Sequence, residues 1–554
     1  MKKLLFFLLL FASSQIYCQS KQPLRVEVDV EESDNTYVIP VGSEGVVLLQ
    51  EADKTIKGDR GNKYWTLTKY NTDFQKVTSK DIAISKKQDM YKYCYDSTLK
   101  VLYILYTSGG SVVTASSYSY VQGDYQLVRI SLKDLSVKTL TGTMENAMTL
   151  VDLTCIDDNV TFGGYTVLSA SQMVGKVYFT LCCLGIPAIF GSMHFTPKAC
   201  YFNADFKLGK INPKFLMQYV GPTKINDISV NAKDKKTDII VENVPDKLAY
   251  NIDIIEMNNK GEQEKTINMK LNRDKQILNA KLTKPNSNDI FVIGTYGEGV
   301  SNSKSIANIG TTSFGAQGMF IGKIVEDKPQ FVKFYSFSKF KQFFAFLSTK
   351  TQQKIEKKIK KKEAKGKDIS YGYSFLVHDI IKQGDTYIMI AEAYYPEYHY
   401  ETYTTCSNNG CTTHTRRVFD GYRYTHAVMA GFNKDGDLLW DNCFEIQNIL
   451  TYTLKQRIKV LLQPNNNIAL VYNYAGRINS KVFKGNTVVD SKSSEKIETN
   501  FSGDQVKSDF GSDIDFWYDN YMIAYGFQKI KNKEAEKGEK KKRNIFYFNK
   551  VSYQ

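Results

Sequence analysis

The chain has 554 residues and carries 73 Lys and Arg against 58 Asp and Glu, a formal net charge of +15. Aromatic residues make up 13 %, mostly 37 Tyr and 32 Phe, with only 11 Pro, which favours many pleated, half-buried strands. Nine cysteines in so long a chain exclude a disulfide-built scaffold, and the length suits two or three average domains or one large repetitive one.

The chain begins MKKLLFFLLLFASSQIYCQS. Two lysines, an apolar run and a short polar end read as a signal peptide over residues 1–18. The run is too short to span a bilayer. A lipoprotein wants a small residue before its cysteine, but Tyr17 precedes Cys18 and Gln15 stands where Leu is expected. Cleavage near Cys18–Gln19 by an ordinary signal peptidase is the better reading. The mature protein is then exported to an oxidising compartment. There a basic surface faces anionic lipid, acidic glycan or an acidic partner, and not nucleic acid.

From residue 45 onward one unit recurs: an apolar strand, a variable loop, then an alternating strand that ends in a polar turn and reverses. The first strand appears as GVVLLQ (45–50), KVLYILY (100–106), NVTFGGY (159–165), DIIVEN (238–243), DIFVIGTY (289–296), YIMIAEAYY (387–395), NIALVYNY (467–474) and YMIAYGF (521–527). The second strand and turn appear as WTLTKYNTDFQKV (65–77), QLVRISLKDLSVKTL (126–140), ACYFNADFKLGKI (199–211), IDIIEMNNKGEQEKTI (252–267), MFIGKIVEDKPQFVKF (319–334) and AVMAGFNKDGDLLWDNCF (427–444). Alternation before each turn is the period of a strand with one buried face, and the Asn- and Asp-rich turns tolerate left-handed backbone. An all-β chain built as one β-propeller of eight four-stranded blades over 19–554 fits this best; seven blades or two smaller β domains are the alternatives. The last unit ends at NIFYFNKVSYQ (544–554) without a returning strand, and LRVEVDV (24–30) is a strand without a unit. The N-terminal strand is therefore expected to complete the last blade and remove an open edge.

In a blade, the loop between its second and third strands and the exit of its fourth share one end. Insertions at 173–191, 338–368, 396–426 and 528–543 all fall there. The first, MVGKVYFTLCCLGIPAIFG, holds one charge, Lys176. It reads as an extra hairpin on its own blade or, if exposed, as a binding patch through Phe179, Leu184, Ile186, Ile189 and Phe190. The second is the good helix signal. Phe340, Phe344, Leu347, Ile355 and Ile359 fall near one stripe, with Thr351 in the gap and lysines, among them Lys357 and Lys361, on the rest. It is either a solvated helix beside the ring or a basic helix on an anionic membrane surface or acidic partner.

The third insertion contains TTCSNNGCTTHTRR (404–417), with His399, His414 and His426 nearby. Pairing Cys406 with Cys411 sets Glu401 against Arg416, Tyr403 against His414 and His399 against Val418. The cysteines then point away from the face that carries His399 and His414, whereas a zinc site needs thiolates and imidazoles to converge. A Cys406–Cys411 disulfide is the first reading, free thiols the second and a metal site the third. Tyr398, Tyr400, Tyr403 and Tyr422 flank it and suit an interface, or pave the outside of a blade.

No G-x-S-x-G elbow, H-E-x-x-H or EF-hand loop occurs. His194 and His378 stand in apolar contexts that suit structural roles, and carboxylate pairs such as Asp513 and Asp515 take meaning only from spatial separation. Nothing recommends an enzyme, a cofactor or a small-molecule substrate, so binding is the default function.

The leader ending Cys-Gln-Ser resembles those of bacteria that use the type 9 secretion system. SFLVHDIIKQGDTYIMIAEAYYP (374–396) and RVFDGYRYTHAVMAGFNKDGDLLWDNCFEI (417–446) resemble a family of periplasmic proteins there, the plug subunits of the translocon. The rest of the chain matches only by pattern. The resemblance implies a non-enzymatic protein of the periplasm, peripheral to the outer membrane, that docks under a large outer-membrane barrel and blocks its opening when idle. The rival from another class is an exported glycan-binding or glycan-hydrolysing propeller, which needs carboxylates and aromatics clustered at the ring's central funnel. A third reading is a general envelope scaffold.

Overall fold

Each recurring unit folds as a four-stranded antiparallel meander. The computed structural model describes residues 20–553 except 31–34, 53–60, 109–110, 114–117, 167–196, 217–221, 244–249, 273, 287, 299–314, 365–370, 408–409, 448 and 536–539. The leader at 1–18 and the apolar insertion at 173–191 lie outside the described residues. Among the described residues the protein is all-β apart from one α-helix, α1 (Thr349–Glu363), and three single 3-10 turns.

Two compact units emerge, and the larger, residues 32–458, holds six meanders. The first comprises Thr36–Pro40, Val46–Ala52, Asn62–Tyr70 and Lys76–Ser85. The second has Gln88–Asp96, Val101–Ser108 and Tyr118–Ser131, and is completed by the start of Val137–Ile156. That long strand shifts register between Met144 and Met148, and its far half opens the third meander, with Asn159–Thr166, Ala199–Asp205 and Lys210–Phe215. The fourth runs Thr223–Asn231, Lys236–Asn243, Asn251–Met257 and Gln263–Lys270; the fifth Lys275–Thr283, Asp289–Glu298, Gly318–Val325 and Lys328–Ser336. The sixth is built on Ser374–Val377, Thr386–Ser407, Gly410–Phe432 and Leu438–Glu445.

Successive meanders bury facing sides against each other. Val47, Leu49 and Trp65 of the first meet Ile104 and Val128 of the second, and Ile252 and Ile254 of the fourth meet Val292 and Phe320 of the fifth. Each such aliphatic or aromatic side chain, removed from water, contributes about 1.5–3 kcal/mol. The turn between the third and fourth strands repeats one device. Asn71, Asn258 and Asn433 each accept backbone N–H groups two and four residues on, at 2.8–3.0 Å. The chain then enters the left-handed region at Phe74, Gly261 and Gly436.

The smaller unit, residues 459–554 with those up to 31, holds two meanders. One is Lys459–Gln463, Asn467–Tyr474, Arg477–Lys484 and Thr487–Lys496. The other has Asp504–Tyr518, Tyr521–Asn532 and Lys542–Tyr553, and its fourth strand is the N-terminal Ser20–Asp29, paired antiparallel from Ser20↔Tyr553 to Asp29↔Ile545. Arg25 locks this strand: its guanidinium donates to Glu27 at 2.8 Å, to Asn549 at 3.1 Å and to Gln528 at 2.8 Å.

The helix is shorter than its sequence pattern. Phe340 and Phe344 belong to irregular turns, and α1 starts only at Thr349. Phe337, Phe340 and Phe343 are buried against Phe375 of the sixth meander. The Asp441 carboxylate fixes the bend by accepting Lys341 N–H at 2.8 Å and Gln342 N–H at 2.6 Å. Burial of three aromatic rings outweighs the continuation of the helix through them.

Candidate functional site

The second and third strands of the sixth meander outrun their sheet. Their outer neighbours end at residues paired with Ala391–Tyr394 and Tyr422–Phe432, while the two strands stay paired with each other to Ser407↔Gly410. A two-stranded ribbon of about 30 Å, at ~3.3 Å per residue, therefore stands free of other described strands. Thr, Tyr and Val supply the strand propensity. The register sets Glu401 on Arg416, Tyr403 on His414, His399 on Val418 and Cys406 on Cys411, the pairing the sequence predicts. A disulfide joins Cys406 and Cys411, with Cα atoms 4.0 Å apart. Ladder pairing continues one rung beyond it, to Ser407↔Gly410.

One face carries Tyr400, Arg417 and the threonine pairs Thr402–Thr415 and Thr404–Thr413, at 3.5 and 3.2 Å, below the disulfide. The other carries His399, Glu401, Arg416, Tyr403 and His414. Arg416 binds Glu401 at 2.6 Å, and Tyr403 stacks on His414 at 5.4 Å. Hydrogen bonds donated to Asp420 first and Glu401 second raise the pKa of His399. Tyr400 is 70 % exposed and Tyr403 49 %. Tyr398 is half-buried, capped by the Arg417 guanidinium at 3.4 Å and by Phe419. Tyr422 corrects the sequence reading. It is only 7 % exposed, wedged between Tyr394 and Phe419 at the ribbon's root, so it supports the ribbon and offers no surface.

That root meets the leader of α1. His426, fully buried, stacks on Phe346 at 3.9 Å and lies edge-on to Phe343 and Tyr373. Burial pushes its pKa down to about 3, so it is neutral and no switch near neutral pH. Beyond the root, α1 half-buries one stripe, Gln352, Ile355, Ile359 and Lys362, and exposes Lys350, Lys354, Lys357, Lys358, Lys360 and Lys361. No ion pair joins these lysines to a described carboxylate. Phe179, Leu184, Ile186, Ile189 and Phe190 fall outside the described residues.

A second cluster lies on the first strands of the second to fifth meanders and on the break just after the first strand of the sixth. Lys92 pairs with Asp152 at 2.6 Å, and Lys281 bridges Asp227 at 2.6 Å and Asp379 at 3.1 Å. Burial, only partly offset by Lys281, pushes Asp227 up to about 6. Burial opposes the charge of Lys281 too, but Asp227, Asp379 and Asp152 outweigh it and hold the lysine protonated. The Asp379 side chain is 91 % accessible, and although surrounding protein desolvates it, Lys281 draws its pKa down. Sequence reading missed all five residues, because their partners lie 54–98 residues apart, or more, on strands too polar to alternate clearly. Elsewhere His378 bonds Glu392 at 2.7 Å in a structural role. Asp513 is buried and Asp515 pairs with Lys459 at 2.7 Å.

Among the described residues no group of three His, Cys, Asp or Glu side chains is placed to hold a metal ion, and no helix is long and apolar enough to cross a membrane. No family model matches the chain, and no curated protein matches it. Of solved structures, the polysaccharide lyase Uly1 aligns over 95 % of this chain and 100 % of its own, with 10 % identity and a TM-score of 0.36. A prolyl endopeptidase aligns over 91 % and 54 %, with 6 % identity and 0.33. A variant of the Synechocystis apocarotenoid oxygenase aligns over 55 % and 66 %, with 6 % identity and 0.30. Likeness at this level brings no activity to the chain.

Proposed function

We propose that this is a non-enzymatic periplasmic protein that docks on a large outer-membrane barrel complex, as the plug of a type 9 protein-secretion translocon does at its idle periplasmic opening. The ribbon carries the reading. It is exposed along both faces, bridged near its tip, and paired with nothing else among the described residues, so the fold does not need it and a partner can use it. The lysines of α1, unmatched by described carboxylates, suit an acidic rim. The resemblance of residues 374–396 and 417–446 to plug subunits points the same way.

The test is a mild-detergent capture of the tagged protein from native envelopes, followed by mass spectrometry. A very large outer-membrane barrel should come with the parent and be lost when residues 398–419 are replaced by a short turn. The double variant Lys357→Glu and Lys361→Glu should weaken capture and remove its salt sensitivity. Recovery of the parent alone sinks the proposal.

One observation favours the rival reading. First strands of successive meanders bear carboxylates, Asp152 and Asp227 among them, and Asp379, just past another, is open to solvent. A glycan-binding site there would show as saturable binding of an oligosaccharide in an array, abolished by Asp379→Asn and unaffected by loss of the ribbon.

A further inference from the structure

Two thiols outside the ribbon sit side by side. Cys94 lies on Gln88–Asp96, the first strand of the second meander, and Cys155 on Val137–Ile156, in the half that opens the third. These strands run alongside in the same direction. The Tyr91 hydroxyl donates to the Leu150 carbonyl at 2.9 Å, and one residue on Lys92 pairs with Asp152 at 2.6 Å. Cys94 and Cys155 come next along the two strands. The two thiols are close enough for each to feel the other's charge, and both pack against one apolar cluster with Tyr103, Leu153 and Phe162. Burial first, and Cys155 second, push the Cys94 thiol up, so in the folded protein it is a poor nucleophile. The other described free cysteines, Cys200 and Cys443, are buried in other strands.

We propose that Cys94 and Cys155 are a disulfide-forming pair, oxidised in the exported protein to a bridge that staples the first strands of the second and third meanders. The inference rests on the export reading above, and the Cys406–Cys411 bridge requires the same oxidising surroundings. The oxidant is a disulfide-carrying exported oxidoreductase. One cysteine thiolate attacks its disulfide and forms a mixed disulfide; the second thiolate then displaces the oxidoreductase sulfur. The two cysteines lose two electrons and two protons, and the oxidant's disulfide becomes two thiols. Exchange takes place while the strands assemble, before burial suppresses the thiolate.

The test uses the full chain purified from its native envelope, quenched in acid and alkylated under denaturing conditions without reduction. Cys94 and Cys155 should escape the reagent and appear in one linked peptide pair that reduction separates. If both carry the reagent while Cys406 and Cys411 stay linked, the inference falls and the export reading stands. If all four carry it, both fall. A second measurement starts from a Cys406→Ser, Cys411→Ser background. Reductant should lower its melting temperature by about 2–4 °C and leave the same chain with Cys94→Ser and Cys155→Ser unmoved. An equal response of the two overturns the staple.

Discussion

Glu392 shows how a single buried carboxylate can hold neighbouring segments together. It accepts the backbone N–H groups of Arg457 at 2.9 Å and Ile458 at 3.0 Å, together with His378 at 2.7 Å, all away from water. Glu392→Ala orphans two backbone donors and an imidazole at once, so a loss of about 3–5 kcal/mol is expected in urea unfolding; Glu392→Gln should lose less. His426 makes a prediction of the opposite kind, about pH. Its folded pKa near 3 lies below its ordinary 6.5, so the native state binds fewer protons between those values. Its contribution is complete above pH 6.5 and drains away as pH falls toward 3, about 2 kcal/mol by pH 5. Asp227 works against it, since a carboxyl raised to about 6 favours the folded state as pH falls from 6 to 4. The His426→Phe variant isolates the histidine: the gap between its unfolding free energy and the parent's should shift by that amount between pH 7 and pH 5.

For the elements, the ribbon predicts a separation of local from global stability. Among the described residues its two strands form ladder pairs only with each other, so replacing Cys406 and Cys411 by Ser should change the stability of the whole by less than about 1 kcal/mol. Amides between Thr402 and Thr415 should meanwhile exchange faster and proteases should nick the tip. Equal exchange rates with and without the bridge would mean that the threonine pairs alone hold the ribbon. Much of this element was legible in the sequence, because period-two alternation and a cysteine at each end of a short polar turn fix the register. The helix was not. A 3.6-residue stripe through Phe340 and Phe344 satisfies a local rule, but the acceptor that bends this stretch, Asp441, lies about a hundred residues away. The charged cluster was hidden for a related reason. Its strands, such as KQILNAKLT and TKINDISVN, are edge strands of their sheets and mix lysine, aspartate and asparagine with aliphatic residues. They lack both the apolar runs that showed the second strand of every meander and the alternation before a polar turn that showed the third strand of six, so these charged residues sit on the strands least visible to pattern.

For the whole molecule, the final meander completes itself with a strand from the other end of the chain. Removing residues up to 30 leaves Lys542–Tyr553 as an open edge and deletes the Arg25 contacts to Asn549 and Gln528. The truncated protein is expected to associate through that edge, seen as concentration-dependent growth in light scattering, while a peptide matching residues 20–30 restores the monomer. The same pairing has a consequence in time. The ribosome delivers Ser20 more than five hundred residues before Tyr553, so the N-terminal strand waits roughly 30–100 s for its partner at the usual rate of elongation. For that interval the growing chain carries an unmatched strand, and anything that keeps it from pairing prematurely with another chain acts as a chaperone for the last step of folding.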